Sequence, residues 1–392
     1  MPTTALAPHP AAARSAADTK SHEKSVPTDE DLARLERFGE AIDALKARVQ
    51  AEIGGEDVRY IARVQRVSRV AEVLGRSLIV VGFDPLTYGA GVVALFVHKQ
   101  LEAAEIGHTV LHGAFDGLEG AEAFQSKGYR WKIPIDEDSW RRGHNARHHG
   151  GTNVAGRDPD IHFGNVRLTD ETPHHWYHRG QLATSVLVIW PFFTFHMGAH
   201  FAGLIDAYVG NGREDELDFL RDRSPASVRD AWRRALRGWG PYYLREWVFW
   251  PALAGPLFPK VLLGNVLSDV MRDVYSAVTI FCGHVGEETA SYPEGTIPKG
   301  RGHWYAMQVE ASNDFDVSFP VSVLCGALDR QIEHHLFPRF PTQRLRQVAP
   351  EVKRICEEHG VAYRSASWPE TLKSALAKIR RLGRPQPSEQ AA

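Results

Sequence analysis

Three short histidine clusters, far apart in the chain, constrain the fold more than any other feature. They are His108-Thr-Val-Leu-His112, His144-Asn-Ala-Arg-His148-His149 and Gln331-Ile-Glu-His334-His335. Residues three or four positions apart lie on the same face of an α-helix, so each cluster, as a helix, directs two or three imidazoles towards one point. The spacing therefore predicts helices that converge on a common metal site.

The number of histidines indicates more than one metal ion. Imidazole binds iron, copper, zinc and nickel, so the ligand type alone does not select the metal. Seven of the 19 histidines fall into the clusters, whereas one zinc ion takes three or four protein ligands. The count favours two ions. Cys282, Cys325 and Cys356 occur singly, which argues against a zinc ribbon or an iron–sulfur cluster.

These clusters resemble the three histidine boxes of the membrane fatty acid desaturase family, whose enzymes contain two irons. The likeness extends to the flanking stretches 107–113, 144–153 with Asp158, 304–313 and 331–338, and it runs from about residue 60 to residue 365. Gln331 occupies the first position of the third box. In this respect the chain is similar to front-end-type desaturases and to bacterial acyl-lipid or acyl-CoA desaturases.

The resemblance implies a set of ligands. The expected metal ligands are His108, His112, His144, His148, His149, His284, His334 and His335. Gln331 is expected to be a weak ligand or to act through other ligands. Asp158, Trp304, Gln308 and Asn313 are candidates for orienting the ligands or lining the substrate channel, with packing and turn roles as the alternatives. The other HxxxH pair, His196 and His200, lies outside the order of the boxes and is interpreted as pore-lining or helix-packing.

The resemblance also implies the chemistry. It predicts an O2-dependent desaturase with two iron ions that introduces a cis double bond into a fatty acyl chain carried by a lipid, coenzyme A or a carrier protein. The sequence contains no His-Pro-Gly-Gly haem motif, so electrons are expected from a separate ferredoxin or cytochrome b5 with an NAD(P)H reductase. A hydroxylase or oxidase of fatty acids, sterols or carotenoids on the same scaffold remains an alternative. A membrane metal-binding protein without catalysis is another.

Composition bears on the partners and on the membrane. A net charge of −2 gives no case for nucleic acid, and a mean hydropathy of −0.31 is low for a membrane protein. Four stretches are nevertheless long and apolar enough for spans of about 20 residues: 77–97, 182–205, 242–259 and 261–283. Buried core helices of a soluble protein are the alternative reading.

The expected fold is therefore all-α: an integral membrane helical bundle of about four spans with a cytosolic helical cap that holds a diiron site. Residues 28–383 form the desaturase domain, and 1–27 and 384–392 are expected to be disordered or flexible tails. An even number of spans places all three boxes on one side. Arginine and lysine between residues 113 and 180 indicate that this side is cytosolic, as at a bacterial inner membrane.

Overall fold

A computed structural model describes residues 28–210 and 217–385. The predicted N-terminal tail and most of the C-terminal one lie outside these residues. The described chain is mostly helical and includes one two-stranded parallel sheet, in which β1 (Asp314–Asp316) pairs with β2 (Ser365–Ser367). The expected all-α class is confirmed.

The main helices follow one another along the chain, and several continue through π-helical turns. The helices are α1 (Asp29–Glu52), α2 (Gly55–Val81), α3 (Pro85–Leu101), α4 (Glu137–Trp140), α5 (Trp176–Ala202), α6 (Leu204–Tyr208), α7 (Pro225–Tyr243), α8 (Phe258–His284), α9 (Arg301–Glu310), α10 (Phe319–Cys325), α11 (Gln331–Leu336), α12 (Thr342–Glu358) and α13 (Trp368–Leu382). The π-helical turns are Glu102–His108 after α3, Arg141–His148 after α4, Ser185–Ile189 within α5 and Leu244–Phe249 after α7.

Helix α1 packs against α9, α11 and α12, of which α11 carries the third histidine box. It begins with a capping box in which the Thr28 hydroxyl accepts from the Asp31 N–H and the Asp31 carboxylate accepts from the Thr28 N–H. Its stripe from Leu35 to Val49 is buried in one core cluster with residues of α9, α11 and α12. The backbones of α1 and α9 approach closely where Gly39 faces Gly302. Residues of α11 pack into the same core cluster as α1 and α9.

The predicted span 77–97 is wrong as a single helix, because the chain turns back within it. Helix α2 ends at Val81, and Asp84 caps a new helix by accepting from the N–H groups of Leu86 and Thr87. Gly75 lies against Leu95, so α2 and α3 form an antiparallel hairpin. The continuous apolar stretch predicted one helix. Asp84-Pro85 nevertheless has the typical pattern of an N-cap followed by the first helical residue.

The other predicted spans fall on helices. Within the described residues, one helix, α5, is long and apolar enough to cross a membrane, and it overlaps the stretch 182–205. The stretches 242–259 and 261–283 correspond to the end of α7 with its continuation to Leu253 and to α8. The charged residues of the last stretch point inward: Arg272 pairs with Asp273 at 2.8 Å, and Asp269 pairs with Lys99 at 2.7 Å.

The close approach of α1 and α9 generates a stability prediction. In Gly302→Ala, the new Cβ would overlap the Leu35 carbonyl, so we expect the free energy of unfolding to fall by at least about 2 kcal/mol. Thermal unfolding of the purified chain in detergent measures this. Gly240→Ala is the matched control, since Gly240 is exposed on α7 with open space around its Cβ position. An equal loss in both variants would contradict the packing argument.

Candidate metal centre

The three histidine clusters meet at one buried place, and the π-helical turns help to bring them there. His108 ends the turn after α3, and His144 and His148 lie in the turn after α4. In that second turn the His149 N–H bonds the carbonyl of His144, five residues back. A π-turn rotates the following residues relative to an α-helix, and such turns are frequent at functional sites. It lets His144 and His149 face the same point.

One group of imidazoles comprises His108, His112, His144 and His334, whose ligand atoms lie within 4.8 Å of one another. The Nε2 atoms of His108 and His112 are 3.3 Å apart, and those of His108 and His144 are 3.4 Å apart. His149 adjoins this group, with its Nε2 3.2 Å from that of His144. Nitrogens bound at about 2.1 Å to one ion lie roughly 3.0 to 3.4 Å from their neighbours. The spacing therefore fits a shared metal ion.

A second group comprises His148, His284 and His335. The Nε2 atoms of His284 and His335 are 3.1 Å apart, and the Gln331 amide contacts His284 Nε2 at 2.8 Å. Stacking of His149 on His335, with ring centroids 4.4 Å apart, joins the two groups. The arrangement of two adjoining groups of imidazoles fits two metal ions.

Several of the ligand atoms have no protein partner. His334 Nε2 and Gln331 Oε1 are buried without a hydrogen bond. An unsatisfied buried polar atom costs free energy, and a bound cation would remove that cost. The donor set, with imidazoles as the dominant ligands, suits iron as well as zinc, copper or nickel.

Neighbouring side chains orient the imidazoles by holding their other nitrogen. His148 Nδ1 lies 3.0 Å from both carboxylate oxygens of Asp158, and Asp158 in turn accepts from the N–H groups of Asn153 and Asp160. This contact leaves Nε2 of His148 available to a metal. Carboxylates that accept from a ligating histidine fix its tautomer and raise its basicity.

His335 is oriented in the same way by neutral groups. Its Nδ1 lies 3.1 Å from the Gln308 amide oxygen and 3.0 Å from the Thr152 hydroxyl, which also donates to Gln308. Gln308 was predicted as a supporting residue, whereas Thr152 was not. The one available signal was its position four residues after His148, which is one helical turn.

The protonation states suit metal binding. Burial lowers the pKa of His108 to about 3, and burial together with the neighbouring histidines lowers that of His112, His144 and His334 well below 6.5. These rings stay neutral, which is the form that binds metals. His148 differs: burial acts against its charge, but the carboxylates of Asp158 and Asp160 raise its pKa to about 9, so a metal that binds its Nε2 has to displace a proton.

The remaining candidates lie further out. Asn313 donates to Glu288 at 2.8 Å, and its N–H bonds the Gly283 carbonyl beside His284, so it supports the end of α8. Trp304 packs against the α1 cluster, away from the histidines. His200 contacts the Pro159 carbonyl and His196 contacts the Phe192 carbonyl.

An apolar cavity of about 130 Å³ adjoins the imidazoles. His108, His144, His148 and His284 form part of its wall, and most of the rest is aliphatic or aromatic. The apolar lining includes Ile161, Phe163, Phe193, Met197 and Phe281. Such a cavity suits a hydrocarbon chain better than a polar substrate.

The comparison with protein families agrees with this geometry. The family model described as "Fatty acid desaturase" matches residues 85–367, which include every histidine of the centre. The chain belongs to the fatty acid desaturase family. The resemblance of the boxes is thereby confirmed.

Individual desaturases show the range of this family. The chain is 29% identical to the NADPH-dependent stearoyl-CoA 9-desaturase of Mycobacterium tuberculosis, over 87% of this chain and 77% of that protein. It is 26% identical to the sn-1 linoleoyl-lipid 6-desaturase of Synechocystis, over 73% of this chain and 77% of that protein. The first is named for an acyl-CoA substrate and the second for an acyl-lipid substrate.

The contact between His148 and Asp158 can be tested by metal binding. Asp158→Asn keeps one acceptor oxygen but removes the charge, so we expect affinity for ferrous iron to fall about 10- to 100-fold. The measurement is iron retained after dialysis against a graded chelator. Asp138→Asn, at a side chain that is 69% exposed and paired with Arg141, is the control. Equal iron retention in wild type and Asp158→Asn would refute an orienting role.

Proposed function

We propose that this chain is an O2-dependent fatty acyl desaturase that forms a cis double bond at a histidine-bound diiron centre. The observation that carries the proposal is an apolar cavity whose wall contains four imidazoles of a two-group histidine cluster. A protein that only stored metal would not need an apolar cavity beside its histidine cluster. Together they bring an alkyl chain next to a redox centre.

The two irons would be held by the eight histidines predicted from the boxes and α8. The first group and His149 would bind one ion, and His148, His284 and His335 with Gln331 would bind the other. When bound, the irons supply the O2-derived oxidising power that removes hydrogen from an unactivated chain. Per double bond, two hydrogens leave the acyl chain, the donor supplies two electrons, the solvent supplies two protons, and O2 becomes two waters.

The protein's own residues provide position and exclude water. The methylenes of an alkyl chain are chemically almost alike, so only a fixed register selects one pair. Phe163, Phe193 and Phe281 give the cavity rigid walls beside His284. A dry cavity also protects the oxidant from side reactions. The shape of this cavity therefore determines which bond is desaturated.

The membrane placement rests on exposed apolar side chains. Leu86, Leu187 and Leu253 are 85%, 71% and 65% exposed, and others project from α2, α3, α5, α7 and α8. Several charged side chains are instead buried and paired inside the bundle: Glu246 lies between Arg76 and Lys99, at 3.0 and 3.4 Å. Inward-facing, paired charges are typical of membrane helices. We infer that this apolar belt lies in a bilayer, with about four spans and the centre on the cytosolic side of a bacterial inner membrane.

Membrane insertion can be tested by washing. Membranes from cells that express the chain are extracted with alkaline carbonate, which releases peripheral proteins. We expect the chain to stay in the pellet because its apolar belt is embedded in the hydrocarbon. A known integral protein and a known peripheral protein in the same membranes are the controls. Release of the folded chain into the supernatant would contradict embedding.

The activity is tested by the fatty-acid profile of cells that express the chain with a ferredoxin and its reductase. We expect a new cis-unsaturated acyl chain that is absent with His334→Ala/His335→Ala, since that variant loses one ligand from each group. Mapping the double bond gives its position. A hydroxylated chain instead would favour the oxidase alternative, because both reactions begin with the same hydrogen abstraction.

A further inference from the structure

A basic cleft opens beside the histidine centre. It has a volume of about 1310 Å³ and lies between the segment 130–142 and α7. Seven of its 17 lining residues are arginine or lysine, against Glu137 and Asp230 as the acidic ones. The side chains of Arg130, Arg233 and Arg237 are 90%, 75% and 60% exposed. The cleft therefore presents a positive surface to solvent.

Part of this charge is not neutralised by the protein. Arg233 pairs with Asp230 at 2.8 Å and Arg237 with Asp136 at 3.1 Å. Arg142 donates to the Ser139 hydroxyl and Arg234 to the Ala202 carbonyl. Within the described residues neither Arg142 nor Arg234 forms an ion pair with a carboxylate. Five of the seven basic residues pair with carboxylates. Arg142 and Arg234 thus leave a local excess of positive charge on a chain of net charge −2, as a surface for an acidic partner does.

Two tryptophans connect this cleft with the histidines. Trp131 lines the cleft, and its ring lies 5.1 Å from that of buried Trp140. Trp140 stacks on His144 at 4.6 Å with an interplanar angle of 21°, and its ring also contacts His108 and His112 at 5.5 and 5.2 Å. Two ring contacts therefore lead from the cleft wall to the first imidazole group.

Contacts with the π-helical turn Glu102–His108 fix the position of Trp131. Its indole N–H donates to the Ala103 carbonyl at 3.0 Å, and its backbone N–H donates to Glu137. A Cβ at position 107 would overlap the indole ring, so Gly107 makes room for Trp131 directly before His108. The fold thus places an aromatic ring between the basic surface and the ligands.

We propose that the basic cleft is the docking site of an acidic one-electron donor protein, and that Trp131 and Trp140 form the path along which its electrons reach the histidine centre. This inference rests on the proposed function. Each reduced donor loses one electron, and two donors are oxidised per double bond. Electron transfer slows steeply with the distance of each step through protein. The two ring contacts divide the route from the cleft to the imidazoles into short steps. Opposite charges steer the donor to this route and orient it there.

Docking can be tested without enzyme activity. The affinity of oxidised plant-type [2Fe–2S] ferredoxin, an acidic protein, is measured for the full chain in nanodiscs at several salt concentrations. In R130E/R233E we expect the dissociation constant at low salt to rise about tenfold and its salt dependence to weaken. R130Q/R233Q should shift it in the same direction by less. R354E, at a 57% exposed arginine on α12, is the matched control.

An unchanged ferredoxin affinity in R130E/R233E would overturn the docking site. If the KM for an acyl-CoA also rose in that variant, the cleft would be assigned to the phosphates of the acyl carrier. Because ferredoxin binding is measured without turnover, its loss or retention is independent of whether the chain desaturates.

The aromatic path has its own test. W131L should slow the oxidation of reduced ferredoxin by the iron-loaded chain several-fold in stopped-flow measurements, whereas W131F, which keeps an aromatic ring, should restore it. The rates are compared at saturating ferredoxin, so that a change in affinity does not enter them, and reduction of the centre by dithionite should stay unchanged in both variants. Wild-type rates in W131L, or an equal slowing with dithionite, would refute the path.

Discussion

The burial of eight imidazoles around one place is the constraint on which the rest of the structure depends. Their facing nitrogens repel one another unless a cation lies between them, and burial makes protonation costly. Asp158 contacts Nδ1 of His148, and Gln308 and Thr152 contact Nδ1 of His335. These contacts leave the Nε2 atoms of both rings facing the centre. Each element that carries one of these eight histidines ends at or beside this centre.

The helices reach the centre by departing from regular geometry. The first two boxes lie in or next to π-helical turns, and His284 is the last residue of α8. Helix ends and π-turns change the direction in which side chains point, compared with a continuous α-helix. The third box lies on the short helix α11, which the α1 cluster supports from behind. Packing of α1 against α11 therefore helps to position the histidines of the third box.

The same bundle explains why mean hydropathy is a poor guide here. Lys99, Glu246, Asp269, Arg272 and Asp273 pair with one another or with neighbours inside the bundle, so their charges lower the hydropathy of helices whose outer faces are apolar. A sliding average counts both faces equally, whereas a bilayer meets only the outer one. The inward charges also link α3 with α8 and with the π-helical turn after α7.

The sequence by itself determined the helical class, the histidines of the centre and the family, because HxxxH spacing and box order are local properties of the chain. It also marked Gln308 and Asp158, which the structure places against His335 and His148. Only the tertiary structure decided the turn at Asp84, the packing of Trp304 against the α1 cluster, the contact of Thr152 with His335 and the ring contacts of Trp140 with Trp131 and His144. These depend on contacts between residues distant in the chain, such as Gly107 with Trp131, which no local pattern encodes.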